Sequence, residues 1–239
     1  MRKRNIALIL AASMMATFAF GGTTAFAAEE GKTDSVTVGI MADPENMGPW
    51  SGMSMGRIAV LFTTYEYLLT REDGVAYGVL AKSWDEVDPK TYDVELYDYI
   101  HDAAGNPLTA SDVVFSFESA IATKNYGKLS VIDSVTATDD YHVEFKFNKD
   151  LEIGEFENVM LECAIVTQAA YEASPDQMAT TPVGTSAYLV DSYVPGSEIV
   201  MKDTGDYWQT DESLVHGTSI HNAGEIHFSV ITEASQHTV

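Results

Sequence analysis

The chain has 239 residues and a formal net charge of −23, with 36 acidic residues against 13 lysines and arginines. This excess of negative charge argues against nucleic acid and anionic membrane surfaces as partners, because both would repel the protein. The single cysteine, Cys163, excludes an internal disulfide. Stability must therefore come from an ordinary hydrophobic core.

The first 27 residues have the organisation of a secretory signal peptide. Basic residues lie at positions 2–4, an uncharged apolar run follows at 6–20, and Ala25-Phe26-Ala27 supplies the small residues that a signal peptidase reads. The apolar run of 15 residues is shorter than the roughly 20 that a transmembrane helix needs. We expect an exported protein that is periplasmic, extracellular or associated with the cell surface, with no cysteine for lipid attachment at the cleavage site. Its mature part would have 212 residues and a charge of −26.

Apolar spacing predicts a mixed α and β fold. A strand at 36–40, a loop rich in Gly, Pro and Met at 43–56 and a helix at 57–69 come first. The later elements are a hairpin of 79–84 with 92–96 and a hairpin of 131–137 with 142–147 around Asp139-Asp140. They continue with a buried strand at 161–167, a short helix at 169–172, a hairpin of 187–194 with 198–203 around Pro195-Gly196, and a last strand at 225–231.

Residues 100–118 join a short strand end at Ile100, a turn and a capped helix. Gly105-Asn106-Pro107 has turn chemistry, and Thr109 with Asp112 forms a short-armed capping box. One apolar stripe at helical spacing follows, made of Ala110, Val113, Val114, Phe117 and Ile121. His101 and Asp102, just before the turn, leave open an acid–base pair or a structural role.

Four motifs in order resemble the bacterial extracellular solute-binding protein family 5, the peptide and nickel receptors of ABC importers. They are VLAKSW at 79–84, TYDVELYDYIHDAAGNPLTASDVVFSFE at 91–118, PVGTSAY at 182–188 and KDTGDYW at 202–208. The chain departs from the family pattern at Tyr97, where Arg is usual, and at Asp203-Thr204-Gly205, where Arg-Asn-Pro is common. These departures concern the subfamily more than the fold.

The resemblance implies a periplasmic-binding-protein-like fold of type II, with two lobes that close on a ligand. It implies that residues 35–70 and 168–239 belong to the first lobe and that residues 71–167 form an inserted small domain. Because the resemblance covers only the amino-terminal half of the family pattern, the second lobe is expected to be missing from this truncated chain.

The implied function is that of a monomeric receptor, without cofactor or metal, that binds peptides by lobe closure and delivers them to a membrane permease. Alternatives are another solute, such as a nickel complex or a glycoside, or a truncated secreted interaction module without a role in transport. In the family, His101 and Asp102 mark a turn, which favours their structural role.

Six residues fall where family members line the ligand cleft. Trp50, Met53, Ser54 and Met55 lie in the loop after the first strand. Met160 and Glu162 lie at the start of the predicted strand that approaches the cleft, Met160 directly before it and Glu162 within it. Methionine adapts its shape to a ligand and tryptophan offers a flat face for stacking. The alternatives are methionines that fill the core and a buried strand with an inert thiol.

Two patterns that suggest catalysis or metal binding are weak. Asp203-Thr204-Gly205 is the aspartic-protease triplet, but that chemistry needs two such carboxylates and the chain has one copy. The spacing of His216, His221 and His227 does not match the paired histidines of a zinc helix. We therefore expect no enzyme.

Overall fold

The computed structural model describes residues 32–231. The predicted signal peptide and residues 232–239 lie outside this range. Among the described helices, none is long and apolar enough to span a membrane. The strands are β1 (Thr33–Ile40), β2 (Leu69–Glu72), β3 (Val75–Gly78), β4 (Ala81–Asp88), β5 (Thr91–Leu96), β6 (Ile132–Ala137), β7 (His142–Phe147), β8 (Tyr188–Val194), β9 (Glu198–Asp203) and β10 (Ala223–Val230). The helices are α1 (Ile58–Thr64), α2 (Ala110–Thr123), α3 (Glu155–Met160) and α4 (Gln168–Ala173).

Strands from both ends of the described chain form one sheet, in the order β1-β10-β9-β8. β1 pairs with β10 in parallel, with Val38 opposite Phe228, and the other pairs are antiparallel. The core of this sheet includes Val60 of α1, Ile199, Met201 and Phe228, each at most 2% exposed. The predicted hairpin around Pro195-Gly196 and the predicted last strand are confirmed.

The middle of the chain forms a second, antiparallel sheet, in the order β4-β5-β7-β6. Helix α2 packs against it, and the ring centroids of Phe117 and Phe145 lie 4.9 Å apart. Both predicted hairpins of this region are confirmed, although β4 continues to Asp88. A separate hairpin joins β2 and β3 through Asp73 and Gly74, both at positive φ.

Helix α2 begins as the sequence predicts. The backbone N–H of Thr109 donates to Oδ2 of Asp112 at 2.8 Å, which caps the helix start. Ala110, Val113 and Phe117 are buried, and Val114 is partly buried. The prediction was wrong for Ile121, which is 36% exposed, because Ala120 occupies the buried position at that end of the helix.

Two predicted elements were wrong in length or type. The helix predicted at 57–69 ends at Thr64, because Tyr65 turns to an extended backbone and its phenol donates to the carbonyl of Met47 at 2.9 Å. The strand predicted at 161–167 is buried from Cys163 onward but irregular, with a single bridge from Ile165 to Glu66. Ile100 is likewise buried without belonging to a strand. In each case, long-range contacts override the local apolar pattern.

A buried carboxylate links the end of α1 to the KDTGDYW motif. Glu66 is 2% exposed and accepts hydrogen bonds from the Tyr207 hydroxyl at 2.5 Å, the Trp208 indole N–H at 2.8 Å and the Ser219 hydroxyl at 2.7 Å. Burial raises the pKa of Glu66, and these hydrogen bonds oppose that shift. We call these four residues the Glu66 cluster.

The His101-Asp102 pair belongs to the framework. Asp102 is 1% exposed, and its Oδ1 accepts from the backbone N–H groups of Ala104 and Asn106, both at 2.9 Å. Its Oδ2 accepts from the Asn106 amide at 2.9 Å and the Thr167 hydroxyl at 2.5 Å. The structural role of Asp102 is therefore confirmed, since both oxygens are occupied within the fold.

The PVGTSAY motif also has a structural explanation. A Cβ atom at Gly184 would lie 1.9 Å from the carbonyl oxygen of Thr64, so no other residue fits without displacing the backbone. The Gly184 carbonyl accepts from the N–H of Ala103 at 2.9 Å, which ties this motif to the Asp102 turn. The sequence motifs thus contact one another.

Candidate functional site

The predicted site residues lie where three segments meet. The β1–α1 loop, residues 41–57, contacts the turn after α2 at residues 124–128. The Asn125 amide donates to the Trp50 carbonyl at 3.0 Å, and the Tyr126 hydroxyl donates to the Pro49 carbonyl at 3.4 Å. The third segment, residues 160–164, accepts a hydrogen bond from Trp50 through the Ala164 carbonyl, at 3.0 Å. The two separately predicted sets of residues therefore belong to one region.

Trp50 anchors the loop to the core. Its side chain is 5% exposed, and its ring lies 5.0 Å from Tyr171 and 5.8 Å from Phe115, measured between centroids. The first part of the loop is held as firmly, since the N–H of Met47 donates to the Ala179 carbonyl at 2.8 Å. In this structure Trp50 is packed in the interior and has little surface for a ligand.

The second part of the loop is exposed. We call residues 52–55 the methionine segment, in which Met53 is 47% and Met55 is 68% exposed, and Ser54 is exposed as well. Gly52, at a φ of +84°, lies against the side chain of Asn125. Exposed methionines are unusual enough in a folded domain to suggest a contact surface, because methionine side chains pack adaptably against varied partners.

The second predicted pair divides between interior and surface. Met160 is fully buried at the end of α3 and packs in the core. Glu162 is partly exposed, and its Oε1 lies 2.5 Å from Nζ of Lys128. Of this pair, only the Glu162 side chain is accessible at the surface.

A small cavity adjoins the loop, with a volume of about 130 Å³. Asn46, Trp50, Tyr171 and Asp176 are among its lining residues, with the backbone turn at Gln177. Burial raises the pKa of the Cys163 thiol next to Trp50, so this cysteine is held in its neutral form. Burial likewise raises the pKa of Tyr126, while the positive charge of Arg57 acts in the opposite direction.

Several residues of this region were not identified from the sequence. Asn125, Tyr126 and Lys128 follow the end of α2, where Lys124 adopts a left-handed conformation at a φ of +60°. Arg57 is the last residue of the loop, and its side chain donates hydrogen bonds to the loop backbone. The sequence KNYG at 124–127 is typical of a turn after the helix. Nothing in the sequence indicates that this turn contacts the loop, which lies some 70 residues earlier in the chain.

The arrangement is suited to binding. The described part of the chain contains no group of three or more His, Cys, Asp and Glu side chains that could hold a metal ion. The accessible groups at the site are two thioethers, a serine hydroxyl and the Lys128–Glu162 ion pair. These offer adaptable apolar contact and hydrogen bonding.

Comparisons with known proteins identify the family that this chain resembles. The model of bacterial extracellular solute-binding proteins, family 5 (middle), matches residues 76–238. The nickel-binding protein NikA of Staphylococcus aureus is 30% identical over 151 residues, covering 62% of this chain and 30% of that protein. The di/tripeptide-binding protein 3 of Pseudomonas aeruginosa is 25% identical over 187 residues, covering 64% and 34%.

A solved structure supports the fold assignment. The ABC transporter substrate binding protein CtaP of Listeria monocytogenes superposes with a TM-score of 0.70 at 25% identity, covering 86% of this chain and 42% of that one. The chain thus spans about a third of the length of the two curated relatives. Solute-binding proteins are not enzymes, in agreement with the prediction from the sequence. The fold, the ordered motifs and the family match together establish that this chain belongs to the bacterial extracellular solute-binding proteins of family 5.

Proposed function

We propose that the protein binds peptides at the surface formed by the methionine segment, residues 124–128 and Glu162. The observation that carries the proposal is the convergence of these segments around two exposed methionines, Met53 and Met55. Such a surface accommodates side chains of varied shape, as a receptor with little sequence preference requires. The similarity to a di/tripeptide-binding protein supports the same ligand class.

The division of the chain into lobes is part of this proposal. Residues 35–70 and 168–239 would form the first lobe, and residues 71–167 the inserted domain. Strand pairing supports it, because β1 pairs with strands that follow residue 187, whereas β4–β7 pair only among themselves within the described range. Closure of a second lobe over the methionine segment would bury the exposed methionines and retain the ligand.

A nickel complex is the second candidate ligand, since the nickel-binding protein NikA of Staphylococcus aureus is among the relatives. No histidine lies among the residues named for the site. A nickel ion would therefore be held through its own organic ligand rather than by protein imidazoles. This distinction can be tested directly.

The experiment compares two probes, a mixed pool of di- to pentapeptides and nickel with excess L-histidine. Hydrogen exchange of the protein is followed with each probe. We expect the peptides to slow exchange at residues 49–57 and 124–128, and nickel–histidine to leave it unchanged. Protection by nickel–histidine alone would replace the peptide proposal with the nickel alternative. Protection by neither probe would contradict both.

We also infer export and delivery of the ligand to a membrane permease of an ABC importer. The basic, apolar and small-residue organisation of residues 1–27 supports export, and the similarity to an ABC transporter substrate binding protein supports the permease. Amino-terminal sequencing of protein recovered outside the cytoplasm is expected to begin at Ala28. Recovery of the protein in the cytoplasm with Met1 retained would contradict export.

A further inference from the structure

Arg57 connects two distant points of the β1–α1 loop. Its Nε donates to the Pro44 carbonyl at 2.9 Å, and its Nη1 donates to the Ser51 carbonyl at 2.7 Å, with the Gly52 carbonyl at 3.5 Å. Pro44 lies near the start of the loop, and Ser51 and Gly52 lie immediately before the exposed methionines. One guanidinium group therefore bridges the start of the loop and the residues directly before the exposed methionines.

The electrostatic surroundings of Arg57 differ from those of the lysines. Within residues 32–231, seven lysines have a carboxylate within ion-pair distance, for example Lys128 with Glu162. Arg57 has no such carboxylate in the same range, although the chain is strongly acidic. Its planar fork binds backbone carbonyls instead, a geometry that the single ammonium of lysine does not reproduce.

The contacts of the loop are unevenly distributed. Its first part is fixed by Tyr65, which donates to Met47, and by Trp50, which donates to Ala164. The side chains of Met53 and Met55 are exposed. Nη1 of Arg57 donates to the carbonyls of Ser51 and Gly52. These two residues lie where the fixed part of the loop meets the exposed part.

We propose that Arg57 is a positioning residue, which holds the methionine segment in a ligand-ready conformation before any ligand binds. This inference rests on the proposed function, since it assigns a role to the same surface. Preorganisation matters because a loop that must be ordered on binding lowers affinity. Arg57 would thus raise affinity through the loop, without contacting the ligand.

The experiment measures hydrogen exchange of the full chain without ligand, in R57A, R57K and the matched control R71A. Arg71 is an exposed arginine outside the loop that donates to Asn158 at 3.1 Å. We expect exchange at residues 51–56 to become about tenfold faster in R57A, by an intermediate factor in R57K, and to stay unchanged in R71A. Exchange in α2 and β5 should remain as in the wild type.

Unchanged exchange at residues 51–56 in R57A would overturn the proposal, and so would a uniform increase over the whole chain, which indicates a general structural role. If R57A does not fold, R57K decides, since faster exchange confined to residues 51–56 supports the proposal and its absence overturns it.

Titration with the di- to pentapeptide pool is a separate experiment, expected to show about tenfold weaker binding in R57A. A local exchange effect without peptide binding by the wild type would reject the peptide function while leaving the positioning role in place.

Discussion

The Glu66 cluster and the methionine segment use their side chains in opposite ways. In the cluster, one buried carboxylate accepts three hydrogen bonds from residues more than 140 positions away. In the segment, the side chains of Met53 and Met55 are exposed, and the guanidinium group of Arg57 donates to the backbone at Ser51 and Gly52, where the segment begins. The comparison teaches that the recognisable motifs of this chain build the framework. The proposed ligand surface is formed by residues with no distinctive motif.

The largest loss of stability is expected from Glu66→Ala, which removes the acceptor of the Glu66 cluster. The substitution leaves the hydroxyls of Tyr207 and Ser219 and the Trp208 indole without their acceptor in the interior. We expect the free energy of unfolding to fall by about 3 kcal/mol, measured by urea denaturation. The matched control is Glu118→Ala, an exposed position on α2, with an expected change below about 0.5 kcal/mol. Equal effects of the two substitutions would show that the cluster is not a framework element.

Asp102→Asn should lower the free energy of unfolding by less than Glu66→Ala does. The amide keeps the shape of the side chain but replaces one accepting oxygen with a donor, which then faces a donor from Asn106 or Thr167. We expect a loss of about 1–2 kcal/mol in the free energy of unfolding. Asp98→Asn, at an exposed position before the same turn, serves as control. No loss for Asp102→Asn would reject the role assigned to its two oxygens.

The pH dependence of stability offers a test of the burial of Glu66. Because burial raises its pKa in the folded state, the folded protein binds the proton more tightly than the unfolded chain does. The stability of the wild type relative to Glu66→Gln should therefore be greatest below about pH 4 and decrease as pH rises through the folded pKa. Urea denaturation of both proteins over this range measures the difference. A difference that is independent of pH would contradict the assignment.

The smallest effect on stability is expected in the methionine segment. Replacing Met53 and Met55 together by serine should change the free energy of unfolding by less than about 0.5 kcal/mol, because both side chains are exposed. Peptide affinity should nevertheless fall about tenfold, since apolar contact area is lost. The control replaces Val75 and Val87, also exposed, by serine. Unchanged peptide affinity in the methionine variant would remove this segment from the proposed site.

Local signals allowed much of the fold to be predicted. Turn chemistry located the hairpins around Pro195-Gly196 and Asp139-Asp140, and the Thr109–Asp112 pair marked the start of α2. These features depend on residues close together in the sequence, where propensity and hydrogen bonding act directly. The Asp73-Gly74 pair carries an equally clear hairpin signal, so the β2–β3 hairpin was also predictable.

Features that depend on distant residues were not predictable in the same way. Tyr65 ends α1 early because its phenol reaches Met47, and residues 161–167 stay irregular because their surroundings come from other parts of the chain. For the candidate site, the family resemblance indicated the loop and residues 160–162. It gave no indication of Arg57 or of the turn at residues 124–128, whose roles depend on contacts visible only in three dimensions.

The parallel pairing of β1 with β10 has a consequence for the order of folding. Thr33 lies opposite Ala223, so about 190 residues separate the two partners along the chain. Closing so long a loop is slow, whereas β4 and β5 are joined by a tight turn and form early. During synthesis, the middle sheet can therefore assemble while β1 still lacks its neighbour. We expect completion of the end sheet, with its parallel pair, to be the late step by which the first and last described strands acquire their native partners.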